Sequence, residues 1–157
     1  YKHMESVIGN RTEKLDKIDL FIIDAMRADG REAFAQIAEK LNVSPGMIRQ
    51  RYNRLVKLGY LKVVAVTNPL MMGKRTMAMI GVRTDGRKML EVANKLAKFD
   101  EVVYIVAVSG RYDLMIEVFC RDHEDLLNFI TDKLSKADGV REAESFIYLK
   151  IAKEIYF

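Results

Sequence analysis

The sequence predicts an α+β protein in two parts: an N-terminal helix-turn-helix, winged-helix-like, followed by a ferredoxin-like βαββαβ domain. Three observations predict it. Apolar residues recur at helical spacing in three short runs before residue 60, the last two separated by a tight turn. Beyond residue 73 the order is strand, helix, strand, strand, helix, strand. Charge is uneven: residues 1–66 hold 12 Lys+Arg against 8 Asp+Glu, a net of +4, whereas residues 67–157 hold 14 of each.

Leu15, Ile18, Ile22, Ala25 and Met26 share a helical stripe, and Asp16 with Asp19 suits an N-cap and first turn, so the spacing predicts a helix over 16–28, stopped by Asp29-Gly30. Phe34, Ile37, Ala38 and Leu41 mark a second helix ending at Asn42, which tolerates the left-handed conformation of a tight turn. Ser44 can cap a third helix with Pro45 in its first position, running to about Leu58, with Gly59 as its stop. Residues 61–66 are β-branched and apolar and are expected to be a strand, a wing or a link, before Asn68-Pro69 and Gly73 break the pattern. The later elements are expected at 76–82 (strand), 86–99 (helix), 102–109 (strand), 114–120 (strand), 122–137 (helix) and 141–150 (strand). Met89, Val92, Ala93 and Leu96, and then Leu126, Leu127, Ile130 and Leu134, give both helices an apolar side that covers one face of a four-stranded antiparallel sheet. The expected organisation is therefore 1–14 as an N-terminal segment, 15–66 as the helix-turn-helix domain, 67–73 as hinge and 74–157 as the ferredoxin-like domain. The strands at 102–108 and 146–151 are apolar on both sides, so the helix-free face predicts self-association, at least as a dimer.

Composition narrows the class. With 50% hydrophobic and 31% charged residues in 157, the chain reads as folded rather than disordered. No apolar run approaches the ~18 residues of a membrane span, so no membrane partner is expected. The N-terminus lacks a signal pattern and the lone Cys120, read as a small buried strand residue, cannot build a disulfide framework, so a cytoplasmic location is expected. His3-Met4 matches a common cloning site, and Tyr1 to His3 reads as a tag remnant.

Leu41 to Thr84 is 44 residues without an Asp or Glu, yet carries Arg49, Arg51, Arg54, Lys57, Lys62, Lys74, Arg75 and Arg83. A polyanion would be favoured there. On the third helix Ile48, Tyr52 and Leu55 form the inward stripe, so Gly46, Gln50, Asn53 and Lys57 point outward with Arg49 and Arg54 on the flanks. Gln and Asn pair with adenine, Arg with guanine, and Lys or Arg with phosphate, which is the chemistry of a recognition helix in the major groove of double-stranded DNA; Ser44 at the helix start adds a phosphate contact. Met47 touches a thymine methyl or packs. Arg51 lies about 60° from the apolar stripe and is expected to pair with an acid of the first helix instead of DNA.

Leu15-Asp16-x-x-Asp19, Asp29-Gly30-Arg31, Ile37-Ala38, Val43-Ser44, Arg54-Leu55, Gly59-Tyr60-Leu61 and Val108-Ser109-Gly110-x-Tyr112-Asp113, in this order and spacing, resemble the Lrp/AsnC (feast/famine) family from about Leu15 to the C-terminus. The resemblance implies transcription control by a helix-turn-helix joined through a hinge strand to a sensor domain that dimerises and assembles into tetramers or octamers. It also implies a small effector, usually an amino acid, bound between dimers near Gly110, Arg111, Tyr112 and Asp113, with help from positions matching His123, Ile147 and Tyr148. Physically, the Gly turn and Arg111 can hold a carboxylate and Asp113 an ammonium; a plain hairpin turn with Asp113 capping backbone donors is the alternative, as is a helix-start role for His123. Two positions depart from the family pattern: Ala33 stands where a capping Ser or Thr is usual, and Gly46-Met47 gives the recognition helix a flexible, apolar first turn.

No catalytic residue is expected. HExxH, CxxC and P-loop spacings are missing, and no nucleophile-base pair, metal site or cofactor site suggests itself. Two other readings stay open: a sirohaem-decarboxylase-like enzyme of the same architecture, against which the scarcity of His argues, and a ligand-independent architectural DNA-binding protein.

Overall fold

The computed structural model describes residues 14–153. The chain forms two compact units that divide between Ala65 and Val66.

In the first unit, α1 (Lys17–Ala28) starts in a capping box: Asp16 Oδ1 accepts the Asp19 backbone N–H at 2.9 Å, and Asp19 Oδ2 accepts that of Asp16 at 3.2 Å. The second helix, α2 (Phe34–Leu41), begins at Ala33 without a side-chain cap, as its sequence implies. It closes through Asn42 at φ 53°, where the Asn42 and Val43 N–H groups donate to the carbonyls of Glu39 and Ala38. That closure turns the chain sharply into α3 (Pro45–Lys57), whose own C-terminus repeats the device at Gly59 (φ 79°), with the Gly59 and Tyr60 N–H groups on the Val56 and Leu55 carbonyls. Ile22, Met26, Ile37, Ala38, Ile48, Leu55 and Leu61 form the shared core.

Residues 61–66 are not a strand among the described residues. Leu61 anchors in the core and Val63 covers Gly30, whose site for a Cβ lies 2.9 Å from Val63 Cγ1, but no neighbouring backbone pairs with this stretch. β-propensity alone makes no ladder, because a strand exists only where another strand accepts its hydrogen bonds.

The second unit is a four-stranded antiparallel sheet in the order β2-β3-β1-β4, built from β1 (Thr76–Thr84), β2 (Val102–Ala107), β3 (Leu114–Cys120) and β4 (Val140–Ile147). Its register places Ile80 opposite both Ile116 and Ser145, and Met79 opposite Glu117 and Phe146. Ala78, Ile80 and Val82 of β1 and Leu114, Ile116, Val118 and Cys120 of β3 pack against α4 (Met89–Leu96) and α5 (His123–Asn128). The order and the one-sided helices are those of a ferredoxin-like sandwich, as the sequence predicts.

Three details differ from expectation. α4 is shorter than 86–99, because residues 85–88 form a turn tied by the Asp85 N–H to the Gly139 carbonyl. The helix expected over 122–137 leaves α geometry after Asn128 and continues as a π-helical stretch, Phe129–Leu134. Within it Phe129 is buried (1% exposed) and Leu127 is 58% exposed, so the apolar stripe is rotated toward Phe129 and away from Leu127. Finally, β4 ends at Ile147 because β1 gives out: Tyr148 donates to the Met77 carbonyl, one residue from the start of β1. Residues 1–13, with the expected tag remnant, lie outside the described residues.

Candidate nucleic-acid interface and ligand loop

The start of α3 is built by local chemistry. Ser44 Oγ accepts the Met47 N–H at 3.2 Å, and Pro45, whose missing N–H would have no partner in a first turn anyway, occupies the first position. Ile48 and Leu55 are fully buried, and Tyr52 lies against Phe34 with ring centroids 5.1 Å apart, which fixes the inward side. Arg49, Gln50, Asn53 and Lys57 are consequently exposed, together with Ser44, Gly46 and Met47 at the N-terminal turn. This face carries amide and cationic donors and no acid.

Arg51 and Arg54 are drawn to α1. Arg51 bonds Asp16, and its Nη1 lies 3.1 Å from Asp19 Oδ1, as its angular position predicts. Arg54 was expected on the flank as a DNA contact; its Nη2 lies 3.3 Å from Asp19 Oδ2 while the side chain stays 41% exposed. The reason is Asp19 itself, only 1% exposed, because a buried carboxylate requires compensating cations. Asp19 shares the stripe of Ile22 and Met26, at i, i+3 and i+7, and that inward acid is the signal by which sequence alone could have found the Arg54 pairing. The guanidinium of Arg51 is the main cause that holds the Asp16 carboxyl below its ordinary range.

In the second unit, residues 108–113 connect β2 to β3 and include the turn 110–113. Arg111 is exposed, 5.6 Å over the Tyr112 ring and 3.8 Å from Glu144 Oε2. Tyr112 folds back onto the helix-free sheet face above Gly81, edge-on to Phe146. Asp113 Oδ2 accepts the Thr84 backbone N–H at 2.7 Å and the Thr84 hydroxyl at 3.2 Å. Asp113 thus has the backbone-capping role held open as the alternative, and Thr84 and Gly81 are the supporting residues that the sequence reading missed. Gly110 is exposed at the tip.

His123 is the first residue of α5, exposed, beside an open cavity of about 560 Å³ lined also by Met72, Gly73, Arg75, Thr76, Arg121 and Asp122. Ile147 and Tyr148 pair with Ala78 and Met77, and the Tyr148 hydroxyl donates to Glu117 Oε1 at 2.8 Å. Burial, followed by that carboxylate, pushes the Tyr148 phenol up. β3 runs from Leu114 beside the turn to Cys120 before His123, so about 20 Å of strand separates the two ends. One chain therefore does not bring His123 to residues 110–113, and Ile147 and Tyr148 lie toward the His123 end.

Among the described residues no group of three His, Cys, Asp or Glu side chains is placed to hold a metal, and no helix is long and apolar enough to cross a membrane.

Comparison with known proteins assigns both units. Residues 15–56 match the AsnC-type helix-turn-helix domain and residues 77–156 the Lrp/AsnC ligand binding domain. The chain is 35% identical over 151 residues to the HTH-type transcriptional regulator PH0140 of Pyrococcus horikoshii, covering 96% of each. It is 33% identical over 140 residues to LrpA of the same organism, covering 88% of this chain and 99% of that one. Among solved structures, AsnC of Escherichia coli superposes with a TM-score of 0.85 at 24% identity over 90% of this chain and 96% of that one. The transcriptional regulator NMB0573 of Neisseria meningitidis, in complex with L-Met, superposes with a TM-score of 0.83 at 26% identity over 90% and 94%. The chain belongs to the Lrp/AsnC family of DNA-binding, helix-turn-helix transcriptional regulators.

Proposed function

We propose that this regulator reads double-stranded DNA sequence-specifically through the outward face of α3, works in the cytoplasm as an oligomer built on the helix-free face of its sheet, and alters assembly or DNA affinity when it binds a small ligand, an amino acid. The observation that carries the first part is the acid-free exposed face of Arg49, Gln50, Asn53 and Lys57 behind a capped, sharply turned helix start. Ser44, Gly46 and Met47 lie at the end of the helix that approaches the groove first, and Arg54 is proposed as a phosphate contact that must compete with its pairing to Asp19. Electrophoretic shifts with a native promoter test it: replacing Arg49, Gln50 and Asn53 together by Ala removes specific binding, at roughly 1 to 3 kcal/mol for each side chain that reaches a base edge. Unchanged shifts overturn the assignment.

The ligand part is supported by the ligand-binding domain match and by the likeness to the regulator crystallised with L-Met. Because about 20 Å separates the two ends of one sheet, the ligand site is proposed between chains, with Gly110, Arg111, Tyr112 and Asp113 of one facing His123, Ile147 and Tyr148 of another. Thermal melts against the twenty amino acids test it. A binder at a hundredfold excess over Kd adds about 2.7 kcal/mol of apparent stability, and regulation further requires that it prefer one DNA-binding state. No shift with any amino acid favours an architectural DNA binder instead.

A further inference from the structure

Among the described residues, side chains from two helices meet in an ionic cluster in the first unit: Asp16 and Asp19 of the α1 start, and Arg51 and Arg54 of α3. Each acidic oxygen of Asp19 meets a different guanidinium, Oδ1 at 3.1 Å from Arg51 and Oδ2 at 3.3 Å from Arg54. Asp16 adds a second acid to Arg51 while its Oδ1 caps the helix. The inward seat of α3 is already made by Ile48, Tyr52 and Leu55, and a buried ion pair is weak evidence for stability, since apolar residues of similar volume serve as well. The cluster has a clearer consequence for charge. Of the four cations on α3, Arg51 and Arg54 are matched by two acids, whereas Arg49 and Lys57 have no ion pair among the described residues. Sequence-independent binding to DNA grows with each phosphate neutralised, and specificity is the ratio of cognate to non-cognate affinity.

Resting on the DNA-reading role proposed above, we propose that Asp19, assisted by Asp16, is a specificity-determining residue that withholds the Arg51 and Arg54 guanidinium groups from the phosphate backbone and so keeps non-cognate binding weak. The recognition helix then adheres through few charges and discriminates through Gln50 and Asn53. The acids act from a neighbouring helix, at the other end of ion pairs that any DNA would have to break.

The test is fluorescence anisotropy with two duplexes, one selected from a random pool by the wild-type protein and one of scrambled sequence, titrated across about 50 to 200 mM salt. In Asp19→Asn, an isosteric change, scrambled duplex binds more tightly at low salt, by about tenfold for each guanidinium that gains a phosphate. The slope of log K against log salt then steepens by about 0.9 for each, per chain. The ratio of cognate to scrambled affinity falls. Asp16→Asn, at a half-exposed acid whose ion pair among the described residues is with Arg51, gives the smaller change, and adding Arg51→Gln to it restores the wild-type slope, an outcome that a loosened fold would not produce. If Asp19→Asn does not fold by its melting curve, Asp16→Asn and the double variant carry the test. Folded variants with wild-type slope and ratio overturn the proposal. A wild-type protein that itself shows neither salt dependence nor preference overturns the DNA-reading role instead, so the two failures are distinguishable.

Discussion

An added Cβ at Gly81 would lie 2.5 Å from the Tyr112 ring, whereas at Gly46 the nearest atom it would meet is Ser44 Oγ at 4.0 Å. The two glycines therefore predict opposite outcomes. Gly46→Ala relieves a helix position of excess backbone freedom at no steric cost and raises stability by about 0.5 to 1 kcal/mol in thermal melts. Gly81→Ala lifts Tyr112 off the sheet and lowers stability by about 1 to 3 kcal/mol, with a change in near-ultraviolet circular dichroism as the ring loses its seat. Asp113 needs a similarly careful choice of variant. Asp113→Ala would strand the Thr84 N–H, in a residue only 5% exposed, and destabilise by about 1 to 3 kcal/mol even without ligand. Asp113→Asn keeps an acceptor for Thr84 and removes only the charge, so it isolates any role in holding a ligand ammonium.

Among the elements, the last helix shows where sequence periodicity stops being informative. A uniform α repeat gives Leu126, Leu127, Ile130 and Leu134 one side, but the change to π geometry from Phe129 to Leu134 alters the angle per residue, which no hydrophobic count registers. Phe129→Ala is accordingly expected to cost about 3 to 5 kcal/mol, whereas Leu127→Ser leaves the melting temperature near wild type. The same helix begins in an acid-sensitive turn. The Arg121 side chain, first, and its backbone N–H, second, hold the Asp125 carboxyl down to about 2. A carboxyl lower in the folded than in the unfolded chain stabilises above its unfolded value near 4, and that contribution is lost as pH falls toward 2. The melting-temperature gap between wild type and Asp125→Asn is thus open at pH 5 and closes by about pH 2. The helices of the first unit were legible almost to the residue because their ends are local: Asp16, Asn42, Ser44 and Gly59 act within four residues of chain. Residues 61–66 were not, because a ladder partner is non-local, and the Arg54 pairing shows only once the inward place of Asp19, 35 residues away, is weighed.

For the molecule as a whole, the sheet predicts what covers it. Alternation along the strands turns Met77, Met79, Val106, Met115, Phe119 and Phe146 away from the helices, and this helix-free face is largely apolar apart from Glu117, Glu144 and the Arg83–Glu142 pair at its edge. Burying such a face against a second copy is the economical arrangement for two-fold assembly. Light scattering of the full chain is expected to give a dimer or larger at micromolar concentration, and Met79→Lys with Phe146→Asp, which face each other across β1 and β4, to shift it to monomer. A monomeric wild type would show that the face is covered otherwise. That the proposed effector positions fall at opposite ends of one sheet could not be read before the register was known, although each residue type was legible singly.

Cys120 closes β3 with its side chain fully buried, its thiol pushed up to about 11 chiefly by that burial, and it is the one cysteine of the chain. A thiol that is neither ionised nor reachable reacts with alkylating reagents only when the sheet opens. The rate at which the native protein takes up a maleimide therefore times the opening of the second unit alone, without an introduced label, and ligand or assembly that stabilises that unit slows the clock in proportion.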